Sequence, residues 1–490
     1  MVTYLHQNGS SATKLAMNYA ASLPLVEFLH QHRTEGCKII ALSEAAARGD
    51  LPTVQFLHQH RTEGCTVRAM NKAAGNGHLD VVKFLNEHRT EGFTTKAMDC
   101  AAGNGHLSII QYLREHCNAE CTTDAMDHAA QQGHLSIIDY LQSHCGAKCT
   151  TNAIDDAAGN GHYNIVLHLD RHMDKVGCTI NAMDYAASNG HLLMLKYLHE
   201  NRTEGCSYRA MNMAAENGHL EVVQYLHEHR TEGCTIRAMD MAAENGHLEI
   251  VIYLNEHRTE GCSIEAMDKA ALCGHLSVVQ YLDEHRTEGC TTEAMDRAAL
   301  CGHLSVAKYL NDHRTEGCTM AAMDYACEDG HLDVVQYLHS IRTEGCSEAA
   351  MNMAASIGSL PIVQFLHYNR TEGCTTEAMD LAAGNGFLDV VQFLHYNRTE
   401  GCTASAIDTA ALNGHTPIVK FLLDNRVLEE ASWTDLAISR AASRGNLSII
   451  KLLHRQHPER CDKVLTHVQQ AGKCLPEYII FIKGQLKLND

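Results

Sequence analysis

The chain has 490 residues, 20% of them charged, and a formal net charge of -20 with no acidic or basic block. It lacks the cationic footprint of a nucleic-acid binder, so DNA and RNA are not expected partners. The longest apolar stretches, such as residues 478–482, fall far short of the roughly 20 residues that span a bilayer, and the start has neither a basic n-region nor an apolar h-region. No membrane partner and no secretion are expected, and the expected location is cytoplasmic, with nuclear as the alternative.

Residues 1–15 open the chain partway through a pattern: Tyr4, Leu5, His6, Gln7 and Asn8 resemble residues 197–201, the end of a later helical unit. They are expected to be a partial repeat or an N-terminal cap. Residues 16–426 are tandem copies of one 28-residue unit, typified by residues 290–317, CTTEAMDRAALCGHLSVAKYLNDHRTEG. One glycine gives the register, recurring fifteen times from Gly49 to Gly445 at a spacing of 28, except between Gly161 and Gly190 and between Gly414 and Gly445. Such a period means stacked supersecondary units sharing a continuous core, so one elongated domain is expected.

Within the typical unit, Met295, Ala298 and Ala299 lie at i, i+3 and i+4, the buried stripe of a short helix A. Thr291 or Thr292 caps it, Asp296 adds negative charge near its positive end, and Gly302 ends it. Leu304, Val306, Tyr309 and Leu310 form the stripe of helix B, running to about His313. Small alanines on helix A and larger aliphatics on helix B let the helix A side pack more closely. The expected fold class is therefore all-α, a curved helical-hairpin solenoid with helix A on the concave face.

Thirteen of the 21 cysteines occupy one repeat position, from Cys37 to Cys402. Equivalent atoms of stacked helices lie roughly 8–10 Å apart, beyond the reach of a disulfide, so this cysteine reads as a small buried hydrophobe. Phe93 in the same slot agrees. A run of adjacent units between residues 117 and 190 loses the Arg-Thr-Glu-Gly string and holds two Cys-x3-Cys pairs, Cys117 with Cys121 and Cys145 with Cys149, beside His116 and His144. The two pairs sit on separate repeats, about 10 Å apart, so no metal is expected. Asp268, His275 and Cys262 could suggest an orienter, base and nucleophile, but the same three recur in most repeats and therefore read as scaffold. His275-type residues are expected to bond between adjacent turns and Asp268-type residues to stabilise helix starts. With no P-loop, HExxH, dinucleotide fingerprint or nucleophile elbow, no enzyme and no cofactor are expected. The eleven intact Arg-Thr-Glu-Gly copies are expected to form inter-repeat ion pairs.

Residues 427–460 read as a diverged terminal repeat carrying Trp433, and residues 461–490 as a C-terminal cap whose segment 478–482 covers the last repeat.

The string at residues 295–310, MDRAALCGHLSVAKYL, resembles the ankyrin repeat, above all in the A-A-x-x-G-H-L element found again at residues 73–79 and 101–107. The resemblance covers about residues 16–457, and Gly146, Ala147, Lys148 and Cys149 resemble the family's Gly-Ala-Asp-Val loop. Two departures stand out: the Thr-Pro-Leu-His tetrapeptide is replaced by Glu293, Ala294, Met295 and Asp296, and the loop to the next helix A is about six residues shorter. The family's projecting finger loops should be reduced, which leaves the exposed side of helix A as the candidate binding surface.

At about 100° per residue, Arg297 and Leu300 face away from the core. The Arg297 position holds, along the chain, Lys72, Cys100, His128, Asp156, Tyr185, Met213, Met241, Lys269, Arg297, Tyr325, Met353, Leu381 and Thr409. Tyr, Met and Arg are enriched at interfaces. Lys72, His128, Tyr185, Met213, Met241, Lys269, Arg297, Tyr325, Met353 and Leu381 are therefore the candidate partner-binding residues. The expected function is a non-enzymatic scaffold, a monomer that binds a protein or extended peptide through the concave helix A face. The alternatives are a substrate adaptor for a larger enzyme complex and a structural spacer without a specific partner.

Overall fold

Three local choices shape each unit: a Thr or Ser that caps helix A, a glycine that ends it, and alanines between them that let neighbouring helices approach. The computed structural model describes residues 14–20, 22–32, 36–173, 176–425, 435–456, 458–470 and 484. Among these, the regular elements are all helical. They group into two compact units, residues 1–238 and 239–490. Each unit is a row of antiparallel hairpins, such as Tyr208–Glu216 with Leu220–His229 in the first and Thr292–Leu300 with Leu304–His313 in the second. Within a row, helix A packs along the next helix A, while helix B meets the next helix B over fewer positions, so the helix A side is the inner one.

The buried stripes follow the expected period. Met295, Ala298 and Ala299 are sealed from solvent, as are Val306, Ala307 and Leu310 on helix B. Leu304 and Tyr309, expected in the helix B core, are only half-buried, whereas Ala307, not expected there, is buried. The repeated cysteines are buried or half-buried thiols. No helix among the described residues is long and apolar enough to cross a membrane.

Polar groups tie each repeat to the next. Thr291 caps its own helix by accepting from the Glu293 amide at 3.1 Å. Its amide and hydroxyl both donate to Asp268 of the preceding helix A, at 2.8 Å each. The same bridge joins Asp99 to Thr122, Asp127 to Thr150, Asp184 to Ser207 and Asp296 to Thr319. At Asn212 and Asn352 the amide group instead donates to the cap hydroxyl, of Thr235 and Thr375, while its oxygen still accepts from the cap amide. The aspartate therefore steadies the helix start of the following repeat, not that of its own helix as its position near the positive end had suggested.

The far end of helix A is served from the next repeat as well. Asn76 Nδ2 donates to the Ala47 carbonyl at 2.6 Å and His78 Nε2 to the same oxygen at 3.2 Å. Asn160 and His162 do this for Gln131, and Asn189 for Gly159. The inter-turn histidine bond expected from sequence is present.

That close approach makes the turn glycine doubly required. Gly302 has φ +74, and a Cβ there would lie 2.5 Å from Nδ1 of His331 in the next repeat. In the second unit Pro458–Gln470 packs on both Asp435–Arg444 and Leu447–Gln456, with Cys461, Val464, Leu465 and Val468 buried. Tyr4 to Asn8, Trp433 and the segment 478–482 lie outside the described residues.

Gly146 offers a control for the turn glycine, because it has φ +61 but nothing within 4 Å of an added Cβ. Gly146→Ala should lose only the left-handed backbone cost of about 1 kcal/mol, and Gly302→Ala at least about 2 kcal/mol, since His331 must also move. Urea unfolding of the two variants measures the difference, and equal losses would contradict the close-approach account.

Candidate interaction surface

The polar ladders occupy one face of each helix A and the alanines another, leaving a third face where the residue changes from copy to copy. Cys100, His128, Tyr185, Arg297, Tyr325 and Leu381 are exposed there, and Lys72, Asp156, Met213, Met241, Lys269, Met353 and Thr409 are half-buried. Tyr185 is 39% and Tyr325 38% exposed, high for aromatic side chains. Packing fixes where these side chains begin. A Cβ added to Gly103 or Gly159 would lie 2.9 or 2.8 Å from the Cβ of His128 or Tyr185, so glycine in one helix A lets the next repeat's surface residue sit directly against it.

The ladder residues differ in what they are free to do. Lys72 Nζ is paired with Glu44 Oε1 at 2.7 Å, and Glu44 holds the same position one repeat earlier, a member the sequence reading left out. Lys269 pairs with Glu244 and Glu265, and Arg297 with Glu293 one turn before it. Thr409 Oγ1 donates to the Ser405 carbonyl. Tyr185, Met213, Tyr325, Met353 and Leu381 carry no charge to neutralise. A second exposed column was also missed: the first residue after the cap is Ile180, Tyr208 and Ile236 in the first unit and Ile264 and Met320 in the second, all exposed. Its signal was present in the sequence as four consecutive large apolar residues, from Ile180 to Ile264, where Thr95, Thr123 and Thr151 stand earlier.

The residues that suggested chemistry are committed to scaffold contacts. Burial raises the carboxyls of Asp184, Asp240, Asp268 and Asp296, with the bonds from the next cap opposing it. Burial lowers the pKa of His191 and His303, whose rings bond the carbonyls of Gly159 and Leu272. Burial pushes the Cys206, Cys262, Cys290 and Cys318 thiols up to about 11, so they are not thiolates near neutral pH. In the drifted segment, the Cys117 thiol donates to Asn86 Oδ1 and that of Cys149 lies 3.8 Å from the Met173 sulfur. Helix B there ends in one wide π turn, Leu141–Cys145, before Gly146. Among the described residues no group of three or more His, Cys, Asp or Glu could hold a metal ion.

The expected inter-repeat ion pairs of the Arg-Thr-Glu-Gly loops form where the preceding helix B offers an aspartate, Arg202 with Asp170 and Arg314 with Asp283, but most of these arginines pair first within their own loop. Arg286 binds Glu288 of its own loop through both Nε and Nη2, as Arg89 binds Glu91 and Arg370 binds Glu372. The link between repeats comes from the remaining donors: Arg286 Nη1 reaches Asn255 Oδ1 at 3.1 Å in the preceding helix B, and Glu91 accepts from the Cys65 amide. A two-residue offset allows this fork, because the loop folds tightly enough to face both side chains one way. The arginine bonds hold Glu91, Glu372 and Glu400 down to about 2.

A carboxylate depressed in the folded state adds stability that is full above its ordinary range and fades as pH falls toward the folded value. The chain should therefore lose stability between about pH 4.5 and pH 2 through these loops. A variant carrying Glu91→Gln, Glu372→Gln and Glu400→Gln should be less stable at pH 6 and show a shallower fall of the urea midpoint across that window. An unchanged slope would contradict the assignment.

A family model described as ankyrin repeats in three copies matches residues 42–127, 72–153, 154–240, 183–268, 350–434 and 379–467, and one described as ankyrin repeats in many copies matches residues 323–367. Together they cover more than half of the chain. No curated protein matches it. Similar solved structures include the pentatricopeptide repeat protein PPR10 from maize, 10% identical, with 94% of this chain and 76% of that one covered at a TM-score of 0.30. PPR10 in complex with an 18-nt psaJ RNA element is 11% identical, with 96% and 86% covered at the same TM-score. At that level of superposition neither bears on function.

Proposed function

The chain belongs to the ankyrin repeat family, and we propose that it is a non-enzymatic scaffold, a cytoplasmic monomer that binds a protein or extended peptide through the exposed face of helix A. Ankyrin repeats generally mediate protein–protein interaction, which supports a protein or peptide as the partner. One observation carries the choice of surface. The groups that join repeats recur almost unchanged, whereas the outward helix A positions differ from copy to copy and hold Tyr and Met in both units. Tyr and Met supply large contact area, and Met adapts to the shape it meets. The short loops leave little for a finger-tip contact, and the net charge of -20 favours protein over nucleic acid.

Replacing Tyr185, Met213, Met241, Tyr325 and Met353 together by Ala should abolish capture of a partner that the native chain takes from cell extract, while the melting curve stays within a few degrees. Undiminished capture by a folded variant would reject the helix A face as the binding surface.

A further inference from the structure

Three consecutive repeats of the first unit expose apolar side chains at the start of helix A, and two of them add a cation that forms no ion pair among the described residues. Ile180, Tyr208 and Ile236 follow the helix A caps and are 44%, 52% and 45% exposed. Beside two of them stand Arg209 and Arg237, both exposed. Each makes its hydrogen bond through the backbone amide, to Ser207 Oγ and Thr235 Oγ1, and neither guanidinium forms an ion pair among the described residues. Asp184, whose charge Arg209 feels, is taken up by the Ser207 amide and hydroxyl.

The second unit shows the alternative. There the equivalent positions hold Glu265 and Glu293, each neutralised one turn on by Lys269 and Arg297. One turn after Arg209 the chain places Met213, so that helix cannot neutralise its own cation. In a chain of net charge -20, unpaired arginines flanked by exposed Ile and Tyr mark a local inversion of the surface. Beyond a Debye length of about 8 Å the distant acidic groups are screened, so this local charge governs what docks.

Spacing sets the shape of the occupant. Helices packed side by side are roughly 8–10 Å apart. A polyproline II chain has three residues per turn and rises about 3.1 Å per residue, so every third side chain returns to the same face after about 9 Å. We propose that the helix A starts at Ile180, Tyr208 and Ile236, with Arg209 and Arg237, bind an extended acidic peptide whose apolar side chains recur at every third position with carboxylates between them. This rests on the helix A face being the binding surface and specifies its partner in the first unit. The apolar residues seat one per repeat, and the carboxylates form forked, charge-assisted bonds to the guanidinium groups.

Fluorescence anisotropy of the full chain with two labelled peptides tests the proposal: repeated Leu-Pro-Glu, and repeated Leu-Pro-Lys of the same length. The Glu peptide should bind about tenfold tighter or more than the Lys peptide. Arg209→Glu with Arg237→Glu should reverse that preference, and Tyr208→Ala should weaken the Glu peptide about fivefold or more. All three side chains are exposed, so circular dichroism should show unchanged folding. Equal affinity for the two peptides, no binding of either, or indifference to the charge reversal would overturn the proposal. If peptides fail while the five-site alanine variant still loses its partner, this inference falls and the helix A reading stands; if that variant also retains its partner, both fall.

Discussion

A helix leaves amides unsatisfied at its start and carbonyls at its end, and in this chain the adjoining repeats satisfy both. The Asp or Asn of one helix A takes the cap amide of the next, and the Asn and His of the following turn take the last carbonyls of the helix before it. Helices of eight or nine residues are marginal on their own in water. Here the missing bonds come from neighbours, so a helix A is complete only inside a stack. The turn glycine belongs to the same constraint, since its missing side chain is what admits the next histidine ring.

The burial of these groups follows. Asp240 and Asp296 lie almost wholly out of solvent, and an unbonded carboxylate there would carry a large desolvation cost. Each accepts from an amide and a hydroxyl, which offsets that cost and makes the pairing specific to Thr or Ser at the cap. Around the loops the arginine fork holds its own glutamate and spends its last donor on the preceding helix B. Nearly every recurring polar residue is thereby bound to structure, and the helix A face is left to vary.

Much of this was legible in the sequence because the unit is repeated. The period, the hairpin, the positive-φ glycine, the alanine stripe, the buried cysteine and the inter-turn histidine all follow from residue type at a fixed offset. What was not legible concerns which copy a side chain reaches. Asp296 stands one turn into helix A, where a dipole role and a bridge to Thr319 read identically in one unit. The arginine and glutamate of the loop lie two residues apart, and only the fold of the loop decides that they meet each other. Ala307 is too small to register as core beside Leu304 and Tyr309, yet it is fully buried, at the position that Val279 and Val335 hold in the adjoining repeats. On the surface, Glu44 shows that a ladder position can be paired within the scaffold, and the column at Ile180, Tyr208 and Ile236 was hidden by its place next to the cap.

Native-state hydrogen exchange on Asp184→Ala and Asp184→Asn tests the central claim most directly. Asp184 is buried and bonded to the amide and hydroxyl of Ser207. The alanine variant should lose about tenfold protection at Ser207, Arg209 and the first turn of the helix Tyr208–Glu216, with distant repeats unchanged, and asparagine should restore most of it, as Asn212 does for Thr235. Unchanged protection in the alanine variant, or a uniform loss along the chain, would contradict the account.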